Sequence, residues 1–205
     1  MSCPLKEAAR DAPNQLALLS KDHAWTFADL DRLVDELPIL QMFSAWRKER
    51  SFQARNPRLP RQMPEISGPA KTVLLQTSGS TAEPKIAILS MQNLIANAES
   101  AVAALNLKAG DQWKLSLPLY HVGGIGILIR CILARATVVI DDSPHITHLS
   151  YVPTQLYRST PIYPKLRCLL LGGAPIGSYP PHLPVHTTYG LTEMASMVTL
   201  DGSLL

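Results

Sequence analysis

The feature that most constrains the fold of this chain is an alternation of short apolar segments with longer helical ones, which begins at Lys71. Short apolar runs bounded by Gly, Pro, Ser or Thr are typical of buried strands. We predict strands over residues 72–76, 85–89, 113–117, 137–140, 148–152, 167–171 and 185–188. We predict helices over 91–106, capped by Ser90, and over 125–133. This alternation predicts an α/β fold with a largely parallel sheet flanked by helices.

The first 70 residues have a different organisation. Residues 1–37 predict a compact unit with a helix over 5–10, a strand over 16–20 and a helix over 27–37 capped by Thr26. Residues 38–70 hold five prolines and a run of basic side chains. That composition favours a solvated, loop-rich connector, with a partner-binding patch as the alternative. We therefore divide the chain into a reduced N-terminal segment with a Pro-rich basic connector (1–70) and an α/β core (71–205).

Composition excludes several classes of protein. Apolar residues make up 46% of the 205 residues, which is enough for a substantial core. A net charge of +3 is too small and too dispersed to indicate nucleic-acid binding. The longest apolar stretch, 122–140, contains Arg130 and Arg135, so we expect no membrane span. Three cysteines without a CxxC pair fit a reducing compartment, and we expect a cytoplasmic protein.

A loop rich in small hydroxyl residues joins the first two strands predicted in the core. It reads Thr77-Ser78-Gly79-Ser80-Thr81-Ala82-Glu83-Pro84-Lys85. Its N–H groups and hydroxyls can donate to phosphate oxygens, and Lys85 adds a positive charge. Because the loop lacks the Walker pattern and no helix follows it directly, phosphate binding and a plain turn both remain open.

Three further loops follow predicted strands and carry groups suited to a ligand. Residues 187–193 offer the aromatic face of Tyr189, the hydroxyl of Thr192 and the carboxylate of Glu193, which suits Mg²⁺. Residues 172–175 (Gly-Gly-Ala-Pro) allow the backbone to approach a ligand closely. His121 is followed by Gly123 and Gly124, which leave space for a substrate. An exposed acid, a tight turn and a structural histidine are the alternatives. We expect the four loops to follow successive strands of one sheet and so to converge on one crevice.

These segments, in this order, resemble the motifs of the adenylate-forming superfamily, which includes acyl-CoA synthetases, luciferases and peptide-synthetase adenylation domains. Residues 77–85 resemble the signature TSG[ST]TGxPK, 189–193 resemble YGxTE, 172–175 resemble the GGAP turn and 25–30 resemble LTYxEL. Within the superfamily, residues 115–127, 151–156 and 188–197 are most similar to the o-succinylbenzoate–CoA ligases of menaquinone biosynthesis.

The resemblance implies both a fold and a reaction. The fold would be the N-terminal-domain fragment of an adenylate-forming enzyme. A carboxylate would attack the α-phosphorus of Mg·ATP, giving an acyl-adenylate and pyrophosphate, and the thiol of CoA would then displace AMP. ATP, Mg²⁺, CoA and a small-molecule carboxylate are therefore the expected ligands, with o-succinylbenzoate the preferred acid. The alternatives are a ligase for another aryl or fatty acid and a non-catalytic nucleotide-binding fragment.

The resemblance also implies a role for each matching residue. Thr192 would contact the α-phosphate, Glu193 would bind Mg²⁺, and His121 would lie near the acyl carboxylate and the CoA thiol. Gly123 and Gly124 would shape the acyl pocket. The catalytic set would be His121, Lys85, Thr192 and Glu193. The nucleotide would be held by Thr77, Ser78, Gly79, Ser80, Thr81, Lys85, Gly172, Gly173, Ala174, Thr188, Tyr189, Gly190 and Thr192. Arg130, inside an apolar helix, is expected to be structural.

Two features depart from the family pattern. Ala82 stands where the family has Gly in the hydroxyl-rich loop. The later motifs of the family, including the C-terminal domain with its catalytic lysine, do not occur in these 205 residues. We therefore expect a piece of a longer or split enzyme that is inactive by itself. An apolar face left open by the missing part would favour self-association, so a homo-oligomer is a further expectation.

Overall fold

The computed structural model describes residues 2–55, 57, 68–77 and 85–205. Within them the strands are β1 (Leu16–Leu19), β2 (Ala24–Thr26), β3 (Phe52–Ala54), β4 (Thr72–Thr77), β5 (Lys85–Ser90), β6 (Gln112–Lys114), β7 (Thr137–Val139), β8 (His148–Tyr151), β9 (Cys168–Gly172), β10 (Val185–Leu191), β11 (Ser196–Leu200) and β12 (Ser203–Leu204). The helices are α1 (Pro4–Asp11), α2 (Phe27–Arg32), α3 (Gln41–Arg47), α4 (Met91–Ala104), α5 (Val122–Ala134) and α6 (Pro153–Arg158). Two 3-10 turns cover Pro38–Leu40 and Thr192–Met194.

A nine-stranded sheet forms the centre of the described part of the chain, with strand order β12-β11-β10-β9-β8-β6-β7-β1-β2. The pairs from β10 through to β1 are parallel, and the pairs at both edges are antiparallel. The predicted α/β fold with a largely parallel sheet is therefore confirmed. The chain crosses from β7 over β6 to β8, so the sheet reverses its order between β6 and β8. Ligands of such sheets bind beyond the carboxyl ends of strands near this reversal.

Helix α5 lies at the centre of the main hydrophobic core. Its apolar side chains are buried on all faces, and it packs against α4 and α1. Helix α4 begins where the prediction placed it, because Ser90 Oγ accepts a hydrogen bond from the backbone N–H of Asn93. Helix α2 is capped by Thr26 as predicted, but it ends at Arg32 instead of extending to residue 37. In the part of the chain that the structure describes, no helix combines the length and apolarity needed to cross a membrane.

The expectation that all four motif loops follow strands of one sheet is wrong. Strands β4 and β5 form an antiparallel hairpin and belong, with β3, to a separate three-stranded sheet. The hairpin pairs residue by residue from Thr72 opposite Ser90 to Thr77 opposite Lys85. A continuous antiparallel register of this kind follows from a direct strand–loop–strand connection, whereas parallel strands need a crossover. Thr77 and Lys85, the two ends of the hydroxyl-rich loop, therefore belong to a second sheet.

The prediction of a loop-rich connector over residues 38–70 is wrong for residues 38–54, which contain a helix and a strand. Helix α3 buries Met42, Phe43 and Trp46 in the main core, and strand β3 pairs with β4. The basic side chains Arg47 and Lys48 form ion pairs with carboxylates of the preceding segment. The prolines and basic residues of segment 38–70 predicted a loop. Three large apolar side chains instead stabilise a helix, because burying them removes a large apolar area from water. Residues 56 and 58–67 of the predicted connector lie outside the described residues.

Candidate active site

A cavity of about 380 Å³ opens at the carboxyl ends of β8, β9 and β10, beside the first turn of α5. This is the edge of the sheet at which ligands bind in open α/β folds. Seven residues singled out by the sequence line it: His121, Gly123, Gly172, Gly173, Thr188, Gly190 and Thr192. Three separate stretches of the chain thus supply one cavity wall, as their positions after strands predict.

Two glycines in this wall are required by close backbone approach. A Cβ atom on Gly172 would lie 2.3 Å from Oγ1 of Thr188 on the neighbouring strand β10. A Cβ atom on Gly190 would lie 2.2 Å from the carbonyl oxygen of Ser196. Real Cβ atoms essentially never approach other atoms this closely, so neither position accepts a side chain without a backbone shift. The two glycines therefore allow neighbouring backbone segments to pack closely along this wall of the cavity.

The segment that resembles YGxTE forms the hairpin between β10 and β11. Tyr189 and Gly190 belong to β10 itself, which extends to Leu191, so the prediction that the strand ends at residue 188 is wrong. Thr192 and Glu193 lie in the 3-10 turn, which Ala195 closes in a left-handed conformation. Thr192 lines the cavity, whereas the exposed side chains of Tyr189 and Glu193 lie outside its lining. These two groups thus stand at the solvent side of the site.

The two ends of the hydroxyl-rich loop face each other at the open end of the β4–β5 hairpin. Thr77 Oγ1 donates a hydrogen bond to the carbonyl oxygen of Lys85, at 3.4 Å. Neither residue lines the cavity, but strand β5 contacts the 3-10 turn that carries Thr192 and Glu193. Ser78, Gly79, Ser80, Thr81 and Ala82 lie outside the described residues. Their predicted part in phosphate binding stays a prediction.

The first turn of α5 points its N-terminus at the cavity. His121 is the N-cap residue, its exposed ring lies 4.7 Å from that of Tyr120, and Val122 and Gly123 line the cavity behind it. The helix begins at Val122, three residues before the predicted start, because glycines at positions 123 and 124 do not prevent helix formation in the first turn. Backbone N–H groups and the helix dipole make this end favourable for an anion.

Arg130 is the functional candidate that the sequence analysis assigned to structure. Its side chain is only 3% exposed, yet it lines the cavity. Nη2 donates to Ser196 Oγ at 3.3 Å, the guanidinium lies 5.8 Å from the ring centre of Trp113, and Nε has no hydrogen-bond partner. Among the described residues no carboxylate forms an ion pair with it. Burial lowers the pKa of Arg130 to about 10, so the group remains a cation at neutral pH.

A family model described as "AMP-binding enzyme" matches residues 39–204, which is most of the chain. The chain belongs to the AMP-binding enzyme family. The resemblance inferred from the motifs is thereby confirmed.

This AMP-binding chain is similar to curated and solved members of the family. The 2-succinylbenzoate–CoA ligase of Salmonella typhimurium is 38% identical over 152 residues, which make up 62% of this chain and 32% of that protein. The match therefore spans about a third of the length of that relative. Wild-type Escherichia coli MenE, solved with an analogue of OSB-AMS, is 25% identical with a TM-score of 0.73, over 98% of this chain and 63% of that one. An o-succinylbenzoate coenzyme A synthetase from Bacillus subtilis, solved with ATP and magnesium, has a TM-score of 0.80 at 19% identity, over 96% and 77%.

Within this AMP-binding fold, two predicted residues have surroundings that differ from expectation. Gly124 does not line the cavity; it is buried where a Cβ atom would lie 2.3 Å from the carbonyl oxygen of Pro118. Ala174 is exposed and also outside the cavity lining. Arg130 was missed as a site residue, although one signal was present in the sequence. A charged side chain inside an otherwise apolar helix is rare unless it is paired or binds a ligand.

Proposed function

We propose that this chain forms the nucleotide- and acyl-binding part of a 2-succinylbenzoate–CoA ligase. Family membership supports adenylate chemistry, and the curated relative in Salmonella typhimurium carries this name. The structural observation that carries the choice of acid is the buried guanidinium of Arg130 in the cavity wall. Succinylbenzoate has two carboxylates, so one can react while the other pairs with this cation.

The energetic argument for a dicarboxylate rests on desolvation. Burying a cation costs free energy unless an anion and hydrogen bonds compensate the loss of water. Among the described residues, the guanidinium of Arg130 donates one side-chain hydrogen bond, to the hydroxyl of Ser196. A planar guanidinium matches the geometry of a carboxylate, which it binds through two parallel N–H donors. A fatty acyl chain in the same cavity would leave the charge uncompensated. The cavity therefore favours an acid with a second negative charge.

The first half-reaction brings two anions together. A carboxylate oxygen bonds to the α-phosphorus of ATP, the bond between the α-phosphorus and the bridging oxygen breaks, and pyrophosphate leaves. Groups that are positive before the reaction starts lower this barrier. The N-terminus of α5 and the hydroxyl of Thr192, which both border the cavity, would serve this task, and Lys85 would add charge from the β5 side. Mg²⁺ commonly binds nucleotides through phosphate oxygens and one or two carboxylates, and Glu193 on the exposed turn fits that requirement.

The second half-reaction transfers the acyl group to sulfur. The thiol of CoA attacks the acyl carbon, the bond from that carbon to the AMP oxygen breaks, and the thiol proton leaves to a base or water. His121 stands at the N-terminus of α5 at the edge of the cavity, where it could contact both the acyl group and an incoming thiol. The predicted division into an N-terminal segment (1–70) and an AMP-binding core (71–205) belongs to this proposal. So does a cytoplasmic location, which the three free thiols support.

The proposal is tested by calorimetric titration with two stable acyl-adenylate mimics. One carries the succinylbenzoyl group and the other is the same compound without its second carboxylate. The wild-type chain should bind the first about 10-fold to 100-fold more tightly, the difference expected for a hydrogen-bonded charge pair. Arg130→Met should remove this preference, and Arg130→Lys should retain part of it because Lys keeps the charge without the planar donor pair.

Three other results would contradict the proposal in different ways. Equal binding of both mimics by the wild-type chain would overturn the assignment of the acid. Tighter binding of a fatty acyl mimic would indicate a ligase for another acid. Binding of ATP with no binding of any acyl mimic would indicate a nucleotide-binding fragment. Circular dichroism of each variant serves as the control for folding.

A further inference from the structure

The side-chain amide of Asn97 joins helix α4 to the hairpin that carries Thr192 and Glu193. Nδ2 of Asn97 donates to the carbonyl oxygen of Met197 at 2.7 Å and to that of Met194 at 3.3 Å. These two carbonyls stand on either side of Ala195 and Ser196. One amide group, a hundred residues away in sequence, thus holds both ends of a two-residue segment.

That two-residue segment has a backbone conformation that residues with side chains rarely adopt. Ala195 has φ of 61° and Ser196 has φ of 126°. Two consecutive non-glycine residues of this kind persist only where the surrounding structure fixes them, and such segments occur often at functional sites. The segment redirects the chain from the 3-10 turn into β11. The amide of Asn97 therefore restrains the two residues of the hairpin whose backbone conformation is least favourable, Ala195 and Ser196.

The same segment adjoins two groups that line the cavity, Thr192 and Arg130. The 3-10 turn immediately before it carries Thr192 and Glu193, and Ser196 within it accepts a hydrogen bond from Arg130. Helix α4 follows directly from β5, which begins at the hydroxyl-rich loop. Asn97 therefore joins the helix that follows β5 to the turn that carries Glu193.

We propose that Asn97 is a positioning residue, which fixes the Thr192–Met194 turn so that Thr192 and Glu193 face the phosphates and the metal ion of bound nucleotide. The assignment of those two residues to phosphate and Mg²⁺ rests on the proposed function. The restraint of the turn by Asn97 rests on the hydrogen bonds alone.

Two variants and one matched control test the role of Asn97. Asn97→Asp keeps the shape of the side chain but replaces the donor with an acceptor, and Asn97→Ala removes it. Gln92→Ala is the control, because Gln92 is an exposed amide on the same helix. The first readout is backbone hydrogen exchange over residues 192–197 without ligand. We expect exchange at least 10-fold faster in both Asn97 variants and unchanged in the control.

The second readout separates positioning from a general structural role. The affinity for ATP is measured by calorimetry with Mg²⁺ and with a chelator, and the ratio of the two dissociation constants is compared. Both Asn97 variants should lose about 10-fold of the advantage that Mg²⁺ gives the wild-type chain. The metal-free affinity should fall by a smaller factor, because without the metal only the contact of Thr192 with phosphate is lost. A loss of affinity by the same factor under both conditions, or no loss, would show that Asn97 does not position the metal-binding turn.

The two proposals fail in distinguishable ways. If the wild-type chain binds no ATP under either condition, the proposed function is contradicted. If exchange over residues 192–197 is the same in Asn97→Asp as in the wild type, the role of Asn97 is overturned whether or not nucleotide binds.

Discussion

At the scale of single residues, Arg130 and His148 are buried polar side chains, each with a nitrogen atom that has no hydrogen-bond partner in the described structure. Arg130 keeps a charge in the cavity wall, and its unmet hydrogen-bonding capacity is the basis of the proposed acid specificity. His148, at the first position of β8, is a second case. Its Nδ1 lies 2.8 Å from Thr147 Oγ1, its Nε2 has no partner, and its ring lies 5.2 Å from that of Trp113. The two residues are buried against the same indole, and only Arg130 lines the cavity.

Burial of His148 predicts a specific sensitivity to acid. Desolvation, together with the charge of Arg167, lowers the pKa of His148 to about 4, from about 6.5 in an unfolded chain. Below about pH 6.5 the unfolded state therefore binds more protons than the folded state, so stability falls as the pH falls towards 4. Between about pH 7 and about pH 5 this group alone should lower the free energy of unfolding by about 2 kcal/mol.

Urea unfolding at these two pH values measures that effect. His148→Leu should lose about 2 kcal/mol less than the wild-type chain on acidification, because no buried imidazole remains to be protonated. His145→Leu is the matched control, since His145 is exposed three residues earlier. If His148→Leu showed the same loss as the wild type, His148 would have to be solvated in the folded chain.

At the scale of elements, the entry into α5 depends on one glycine of a neighbouring pair. A Cβ atom on Gly124 would lie 2.3 Å from the carbonyl oxygen of Pro118 and 2.6 Å from that of Leu117. A Cβ atom on Gly123 would meet only the side-chain Cδ1 of Leu117, at 2.9 Å. Backbone atoms cannot move aside as a leucine methyl group can. The position of the helix N-terminus, and with it His121, is therefore fixed at Gly124.

This difference predicts that two adjacent substitutions change the free energy of unfolding by different amounts. Gly124→Ala should lower the free energy of unfolding by about 1–3 kcal/mol, the usual effect of overpacking. Gly123→Ala should be close to neutral, because the gain in helix propensity of about 1 kcal/mol offsets the shift of one side chain. Chemical denaturation of both variants measures the difference. Equal stability of the two variants would mean that the loop at Leu117 and Pro118 yields easily to α5.

At the scale of the whole molecule, the core crosses the boundary that the sequence predicts near residue 70. Phe43 and Trp46 of α3 belong to the same buried cluster as Leu94 of α4 and Ile127 of α5. Ion pairs add to these contacts, for example between Arg135 after α5 and Asp11 of α1. Shared burial of this kind couples the stability of residues before position 70 to that of the residues after it.

Trp46→Ala tests this coupling. Removing a large buried side chain should lower the free energy of unfolding by about 3–5 kcal/mol. The loss should appear in one transition that tryptophan fluorescence and far-ultraviolet circular dichroism report together, since both segments share the core. Arg50→Ala, at an exposed position just after α3, should change stability by less than about 0.5 kcal/mol. Two separate transitions in the wild-type chain would instead show that the two segments unfold independently.

Strong local patterns made much of the fold predictable. The β4–β5 hairpin strands, α4 with its Ser90 cap and the short strands of the parallel sheet were all predicted, because each is an apolar run with clear ends. Helix α3 was missed because the prolines and basic residues of the surrounding segment 38–70 outweighed its apolar face. The start of α5 was displaced because helix propensity penalises Gly123 and Gly124, although tertiary packing requires a glycine at position 124.

The sequence by itself determined the fold class, the family and the identity of the loops that form the cavity, because these depend on residue type and order along the chain. Only the tertiary structure separated the hydroxyl-rich hairpin into a second sheet, brought Arg130 to the cavity wall and joined Asn97 to the turn at Met194. Those features depend on contacts between residues far apart in sequence. Such contacts are set by which surfaces bury each other, and no local pattern records that choice.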